Sequence, residues 1–181
     1  RLQAELTGCR WTTDGNSLLF LFYAGDPEET MLQELLRQCD LRGGLSWPFN
    51  RLEDMPYAHQ QAKAALQYGR DVLTAYREVF PAHVMTLPVE QLRHFVHPAV
   101  LQLEEYDREH DGTMLQTLDA VLCAPDQMQK VAERLFVHRN TLFYRINRMR
   151  ELCHIDFANG EERVNLLLSL RLLQGHGLIN M

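Results

Sequence analysis

The sequence predicts an α+β fold class, an alternation of strands and helices followed by an all-α part that ends in a helix-turn-helix. Three observations lead there. The run Leu18-Leu19-Phe20-Leu21-Phe22-Tyr23, bounded by Asp14-Gly15 and by Gly25-Asp26-Pro27, has the length and flanks of a buried strand. From Thr113 onward the apolar residues recur only at helical spacing. Between Val131 and Arg150 two short amphipathic patterns meet at a tight break, and the second carries four arginines and no acid from Arg139 to Arg150.

The first part reads in order as follows. Asp14-Gly15 is a hairpin turn back to a strand over residues 9–13. Residues 28–39 place Met31, Leu32, Leu35 and Leu36 on one helical face. Residues 41–47 form another short strand ended by Pro48, and 53–68 a helix that turns Met55, Ala58, Ala62, Ala65 and Leu66 to a core. Strand, strand, helix, strand, helix is the order of an α+β domain with helices packed on one sheet face. Val72, Ala75, Tyr76, Val79 and Phe80 keep helical spacing and are expected to prolong the last helix.

Pro81, Pro88 and Pro98 punctuate a connecting region with short helices over 89–96 and 99–105, and Asp111-Gly112 is a break. The acids Glu104, Glu105, Asp107, Glu109 and Asp111 read as a solvated linker face. Met114, Leu115, Leu118, Val121 and Leu122 line one face of the next helix. Asp126 is the expected N-cap of a helix through about Leu135, with Met128, Val131, Ala132 and Leu135 inward. Phe136-Val137 is the turn, His138 caps the second helix of the pair, and Thr141 can serve a free amide in its first turn. A last helix over 161–174 covers the apolar back of the motif. It is hydrophobic over more than one stripe, so part of it is expected to meet a second surface.

The second helix of the pair carries the chemistry. With Arg139 at the origin and 100° per residue, Leu142, Ile146, Met149 and Cys153 fall between about 280° and 340°, a core stripe. Asn140, Thr141, Tyr144, Asn147 and Arg148 lie opposite, with Arg145, Phe143 and Arg150 flanking; Phe143 reads as a core-edge residue rather than a base wedge. Arg and Asn make bidentate contacts to guanine and adenine edges, and Thr and Tyr hydroxyls reach phosphates. The candidate DNA-binding residues are therefore His138, Arg139, Asn140, Thr141, Tyr144, Arg145, Asn147 and Arg148. His138, Arg139 and Asn140 are placed for bases, and Arg145 and Arg148 for phosphate.

Bulk composition bounds these readings. The 181 residues hold one ordinary domain or two small ones, and 46% hydrophobic with 23% charged content is that of a soluble globular protein. No apolar run approaches the roughly 18 residues that span a bilayer, and no secretory pattern is visible. No membrane association is expected, and the cytoplasm is the expected compartment. The first residue is Arg1 rather than Met, so a fragment of a longer protein is expected. Residues 126–152 hold six bases against three acids, net +3, which leaves −9 for the rest of a chain of formal charge −6. A basic segment on an acidic body discourages non-specific DNA binding while keeping local attraction. Cys9, Cys39, Cys123 and Cys153 stand far apart without metal spacing and read as small buried apolar residues in a reducing cytoplasm. His94 and His97 are three apart, with His83 upstream, but a third ligand is wanting, so they read as surface histidines. No catalytic residue, metal site or cofactor is expected.

Residues 135–146, with their H-R-N-T-L-x-Y-R core at His138 to Arg145, resemble the C-terminal helix-turn-helix of the PucR and CdaR (sugar-diacid regulator) family of bacterial transcription regulators. Supporting matches run through Leu103-Glu104-Glu105-Tyr106-Asp107, Leu115-Gln116-Thr117-Leu118, Glu151-Leu152 and Ile155-Asp156-Phe157. Residues 1–70 resemble more loosely the GGDEF-like domain found before this module, through Gly43-Gly44-Leu45-Ser46, 52–57, Gln61-Ala62 and Ala65-Leu66. That resemblance implies a partial cyclase-like α/β sandwich without activity, because the hairpin turn reads Thr12-Thr13-Asp14-Gly15-Asn16-Ser17 where a cyclase carries its metal-holding acids. Gly43-Gly44 is expected to be a turn rather than a phosphate cradle. The expected domains are 1–80 (degenerate GGDEF-like, N-terminally truncated), 81–110 (linker and connecting helices) and 111–181 (helix-turn-helix). The expected partner is double-stranded DNA. One recognition helix reads only a few base pairs, so a homo-oligomer, at least a dimer with helices about 34 Å or a multiple apart, is expected. A small-molecule effector is left open, sensed upstream of Arg1 or in the first domain. The alternatives are a divergent nucleotide cyclase and a protein-interaction module that has lost DNA binding.

Overall fold

A computed structural model describes residues 9–23, 28–110 and 112–179. The chain divides into two units, Arg1–Val79 and Phe80–Met181.

In the first unit, β1 (Arg10–Asp14) pairs antiparallel with β2 (Ser17–Leu21), Arg10 opposite Leu21 and Asp14 opposite Ser17. Gly15, at φ 58°, supplies the left-handed residue that the two-residue turn needs. The expectation of a buried strand is corrected: Leu18, Leu21 and Tyr23 are exposed. The hairpin is a two-stranded sheet of its own, and Phe20 and Phe22 carry it onto a core. These pack with Cys9 on Leu32 and Leu35 of α1 (Glu29–Gln38) and on Leu73.

β3 (Gly43–Leu45), α2 (Met55–Tyr68, entered through a 3₁₀ turn at Leu52–Asp54) and β4 (Leu73–Ala75) make a parallel crossover, with Gly43 opposite Leu73. Two expectations change here. Residues 72–80 do not prolong α2: the helix stops at Gly69, and Leu73, Thr74 and Ala75 are buried as the partner strand of β3. Only then does α3 (Tyr76–Val84) begin, with Pro81 inside it rather than beyond it. Nor is Gly43-Gly44 a turn. It lies in β3 because the strand rests on the α2 backbone, where a Cβ on Gly44 would collide with the Ala62 carbonyl oxygen and come within 2.8 Å of the Leu66 nitrogen. Glycine is required by that close approach, not by an unusual φ. Next to it, the buried Gln61 side chain accepts a bond from the Trp47 amide at 3.0 Å, and Trp47 meets Tyr76 edge-on with centroids 4.9 Å apart.

The second unit is helical: α4 (Leu92–Phe95, after a 3₁₀ turn at Val89–Gln91), α5 (Pro98–His110), α6 (Met114–Cys123), α7 (Met128–Arg134), α8 (Arg139–Cys153) and α9 (Gly160–Gly175). Eight of the ten residues of α6 are buried, and it touches α5, α7, α8 and α9, which makes it the axis of the unit. Segment 81–110, expected as a linker, is built into this unit. Phe95, Val100 and Leu103 are wholly buried, and Arg93 binds both Glu104 and the Leu178 carbonyl, the latter at 2.9 Å.

Two of the supposedly solvated acids therefore do structural work. Glu104 holds Arg93, and Asp107 accepts from the Met114 and Leu115 amides at 2.7 and 2.9 Å, so a side chain of α5 caps α6. Gly112 allows that approach, since a Cβ there would run into the Asp107 carboxylate. His97 is not a surface histidine either. It sits mostly inside, its Nδ1 accepting from the Ala99 amide at 3.2 Å while its own amide donates to Ser169 Oγ at 2.9 Å. Burial pushes its pKa down to about 4. The last helix packs on α4, α5 and α6, the last of which carries the motif. It buries Asn165 and Ser169 beside Leu166, Leu170 and Leu173 and leaves Val164 exposed.

Candidate nucleic-acid interface

Helices α7 and α8 form the expected helix-turn-helix, with Val131 and Ala132 buried where the two meet α6. The small Ala132 permits the close crossing. Asp126 is not the cap of α7. Pro125-Asp126 is a turn, the helix begins two residues later after Gln127, and no side chain caps it. The exit of α7 is a Schellman turn: the Phe136 amide donates to the Glu133 carbonyl at 3.1 Å and the Val137 amide to the Ala132 carbonyl at 3.0 Å. Phe136 takes the left-handed slot at φ 54°.

His138 caps α8, its Nδ1 accepting from the Asn140 amide at 3.2 Å. Because Nδ1 accepts, the ring's proton is on Nε2, a donor that the cap does not consume. Leu142, Ile146 and Met149 are buried as the wheel requires, and Cys153 is partly buried, its thiol pKa raised by burial to about 11. Cys9 and Cys39 are likewise only partly buried, and Cys123, at the end of α6, is exposed rather than buried as expected. Asn140, Thr141, Tyr144 and Asn147 are exposed, Tyr144 by 64%.

The arginines are not equivalent. Arg139 is exposed at the head of α8, its guanidinium 5.2 Å from the Phe143 ring centre. Phe143, expected at the core edge, is itself exposed, at 37%. Arg145 is turned back onto α6, donating to the buried Thr117 hydroxyl at 3.2 Å. Arg148 lies over Tyr106 of α5 at 5.9 Å and donates to Glu151 at 3.3 Å. Its pKa is raised by Tyr106 first and Glu151 second, so its charge is secure while its geometry is shared with the fold. Arg150 donates to the Asn147 amide oxygen at 3.2 Å and lies 5.5 Å from the Phe157 ring centre. Arg134 and Arg171 converge on buried Asp119, at 3.9 and 2.6 Å. Of the basic segment, Lys130, Arg139 and Arg150 are thus the exposed cations without a carboxylate partner among the described residues, and Arg150 is held by the Asn147 amide oxygen, which leaves Arg139 and Lys130.

Both of these cations line one open groove of about 700 Å³ between the heads of α7 and α8, together with Asp126, Gln127, Gln129 and Phe143. Sequence reasoning had not assigned Lys130, Gln127 or Gln129 to the interface. Their signal was position: they precede or open the first helix of the pair, the part that crosses the phosphate backbone in a docked helix-turn-helix. In the first unit, Asp14, the acid of the hairpin turn, is engaged by Lys63 at 3.2 Å and His59 at 3.3 Å.

Comparisons with known proteins agree with this geometry. Residues 114–172 match the family model of the PucR C-terminal helix-turn-helix domain, and residues 1–68 that of the GGDEF-like domain. The chain is 35% identical over 135 residues to the purine catabolism regulatory protein of Bacillus subtilis, covering 71% of this chain and 25% of that protein. It is 36% identical over 72 residues to the proline-responsive transcriptional activator PutR of Bacillus subtilis, 40% of this chain and 18% of that one. It is 38% identical over 64 residues to the carbohydrate diacid regulator of Escherichia coli, 35% of this chain and 17% of that one. The chain therefore spans a quarter or less of the length of these relatives.

Proposed function

The chain belongs to the PucR and CdaR family of bacterial transcription regulators, and we propose that it reads DNA sequence at a metabolic operon with the first turn and outer face of α8. The observation that carries this is the division of one helix. Leu142, Ile146 and Met149 are buried against the bundle, while His138, Arg139, Asn140, Thr141, Tyr144 and Asn147 stand exposed with donors and acceptors for base edges and phosphates. Arg139 and Asn140 read bases, helped by His138 through Nε2–H. Lys130, Thr141, Tyr144 and Arg148 bind phosphate, and Arg145 acts chiefly by locking α8 to Thr117.

A single such helix covers few base pairs, so the protein works as at least a dimer with its recognition helices about one DNA turn, roughly 34 Å, or a multiple apart. It acts in the cytoplasm, without a cofactor, under a signal received by the GGDEF-like domain or by segments beyond this chain. No helix among the described residues is long and apolar enough to cross a membrane. The test is selection of duplexes from a randomised pool, followed by affinity measurement on the winners. Enrichment of a two-half-site sequence is expected, and recovery of no preferred sequence refutes the proposal.

The rival from another class is a nucleotide cyclase-like enzyme. Against it stands the hairpin turn, whose one acid is already engaged by Lys63 and His59. Incubation with GTP and Mg²⁺ or Mn²⁺ is expected to yield no cyclic product.

A further inference from the structure

Three non-glycine residues among those described have positive φ: Asp40, Phe136 and His154, each at 54° and each following a helix. Asp and His are residue types that tolerate the left-handed region. A bulky aromatic does not, and glycine is the usual occupant of this slot. The ring of Phe136 gives the fold nothing in return, since the residue is 96% exposed. The two backbone bonds that shape the turn, Phe136 amide to Glu133 and Val137 amide to Ala132, would form equally well with glycine. A costly backbone carrying an exposed ring calls for an explanation outside the fold.

Location suggests one. Phe136 stands two residues before His138, within about 7 Å along the chain, and so borders the end of α8 that presents Arg139 and Asn140. That end of a recognition helix sits deepest in the major groove. The apolar group that a base pair displays there is the C5-methyl of thymine. We propose that Phe136 is a specificity-determining residue that lays its ring against a thymine methyl beside the bases read by the first turn of α8. This rests on the DNA-reading function proposed above.

The test uses the full chain and duplexes it selects from a randomised pool, with each thymine of the selected site replaced in turn by deoxyuridine, which lacks only the methyl. Wild type should lose about fivefold or more in affinity at one such thymine, the low end of a base-pair mismatch. Phe136→Gly should lose a similar factor on the thymine duplex and nothing further on that uracil duplex, while its Tm is unchanged or higher because the left-handed slot is relieved. Equal affinity of Phe136→Gly and wild type for the thymine duplex overturns the proposal, as does a loss that is the same on thymine and uracil duplexes. A surface for another protein would give that first result. If wild type itself selects no sequence, the DNA-reading function fails instead, and the two failures are distinct.

Discussion

Replacing Arg139 with alanine separates the fold from the function most cleanly. The residue is exposed at the head of α8, where the Phe143 ring centre lies 5.2 Å from its guanidinium carbon. At an exposed site such a contact contributes about 0.5–1 kcal/mol, and alanine's better helix propensity offsets part of it. In a unit of this size the Tm should fall by only a few degrees. On DNA the same change removes a bidentate base contact of about 1–3 kcal/mol, roughly 5- to 150-fold in Kd. That loss should collapse onto one base-pair position. The assay is a fluorescence-anisotropy titration of a selected duplex and its single-base variants at fixed salt, beside a thermal melt. If Kd and the ranking of variants both stay unchanged, base reading by Arg139 is wrong. A uniform loss with the salt slope reduced by about one would also refute it, by moving Arg139 to the phosphate contacts.

Arg148→Ala should give that uniform pattern, weakening all duplexes alike and lowering the salt slope by about one, read from Kd against salt concentration. Gly44→Ala should destabilise the first unit by about 1–3 kcal/mol or more, because β3 cannot lift off the α2 backbone without losing its pairing with β4; a denaturant melt measures it. Asp107→Ala removes two cap bonds from α6 and should cost about 1–2 kcal/mol in the same kind of experiment. His97 is held neutral down to about pH 4 when folded, against an ordinary 6.5. The unfolded chain therefore takes up the proton first as the pH falls. Stability present above pH 6.5 should decline toward pH 4, by up to about 3 kcal/mol. His97→Asn, which keeps an acceptor for the Ala99 amide, should flatten that part of the Tm–pH profile.

The helices of the DNA-reading unit were legible because their signal is local. The buried stripe Leu142, Ile146 and Met149 follows from a period of 3.6 alone, and His138 as cap follows from the residues on either side of it. Family likeness extended this to function, since a motif of consecutive residues on one helix survives without knowledge of the rest of the fold.

What tertiary structure decided was every feature whose partner is distant in sequence. The stretch 73–75 has helical spacing with its neighbours, yet it is a strand because β3, some thirty positions earlier, offers it a ladder. Gly44 looked like a turn until the α2 backbone arrived above it. Arg145 and Arg139 are the same residue type on the same helix, but Thr117 takes one inward and leaves the other exposed. Asp107 and Glu104 looked like solvated charges because their partners, the α6 amides and Arg93, are invisible to periodicity. By itself the sequence determined which helix is proposed to read DNA and which of its faces is buried. Only the packed bundle determined which of its cations are at liberty to do so, because a side chain's free hydrogen-bonding capacity depends on its neighbours in space.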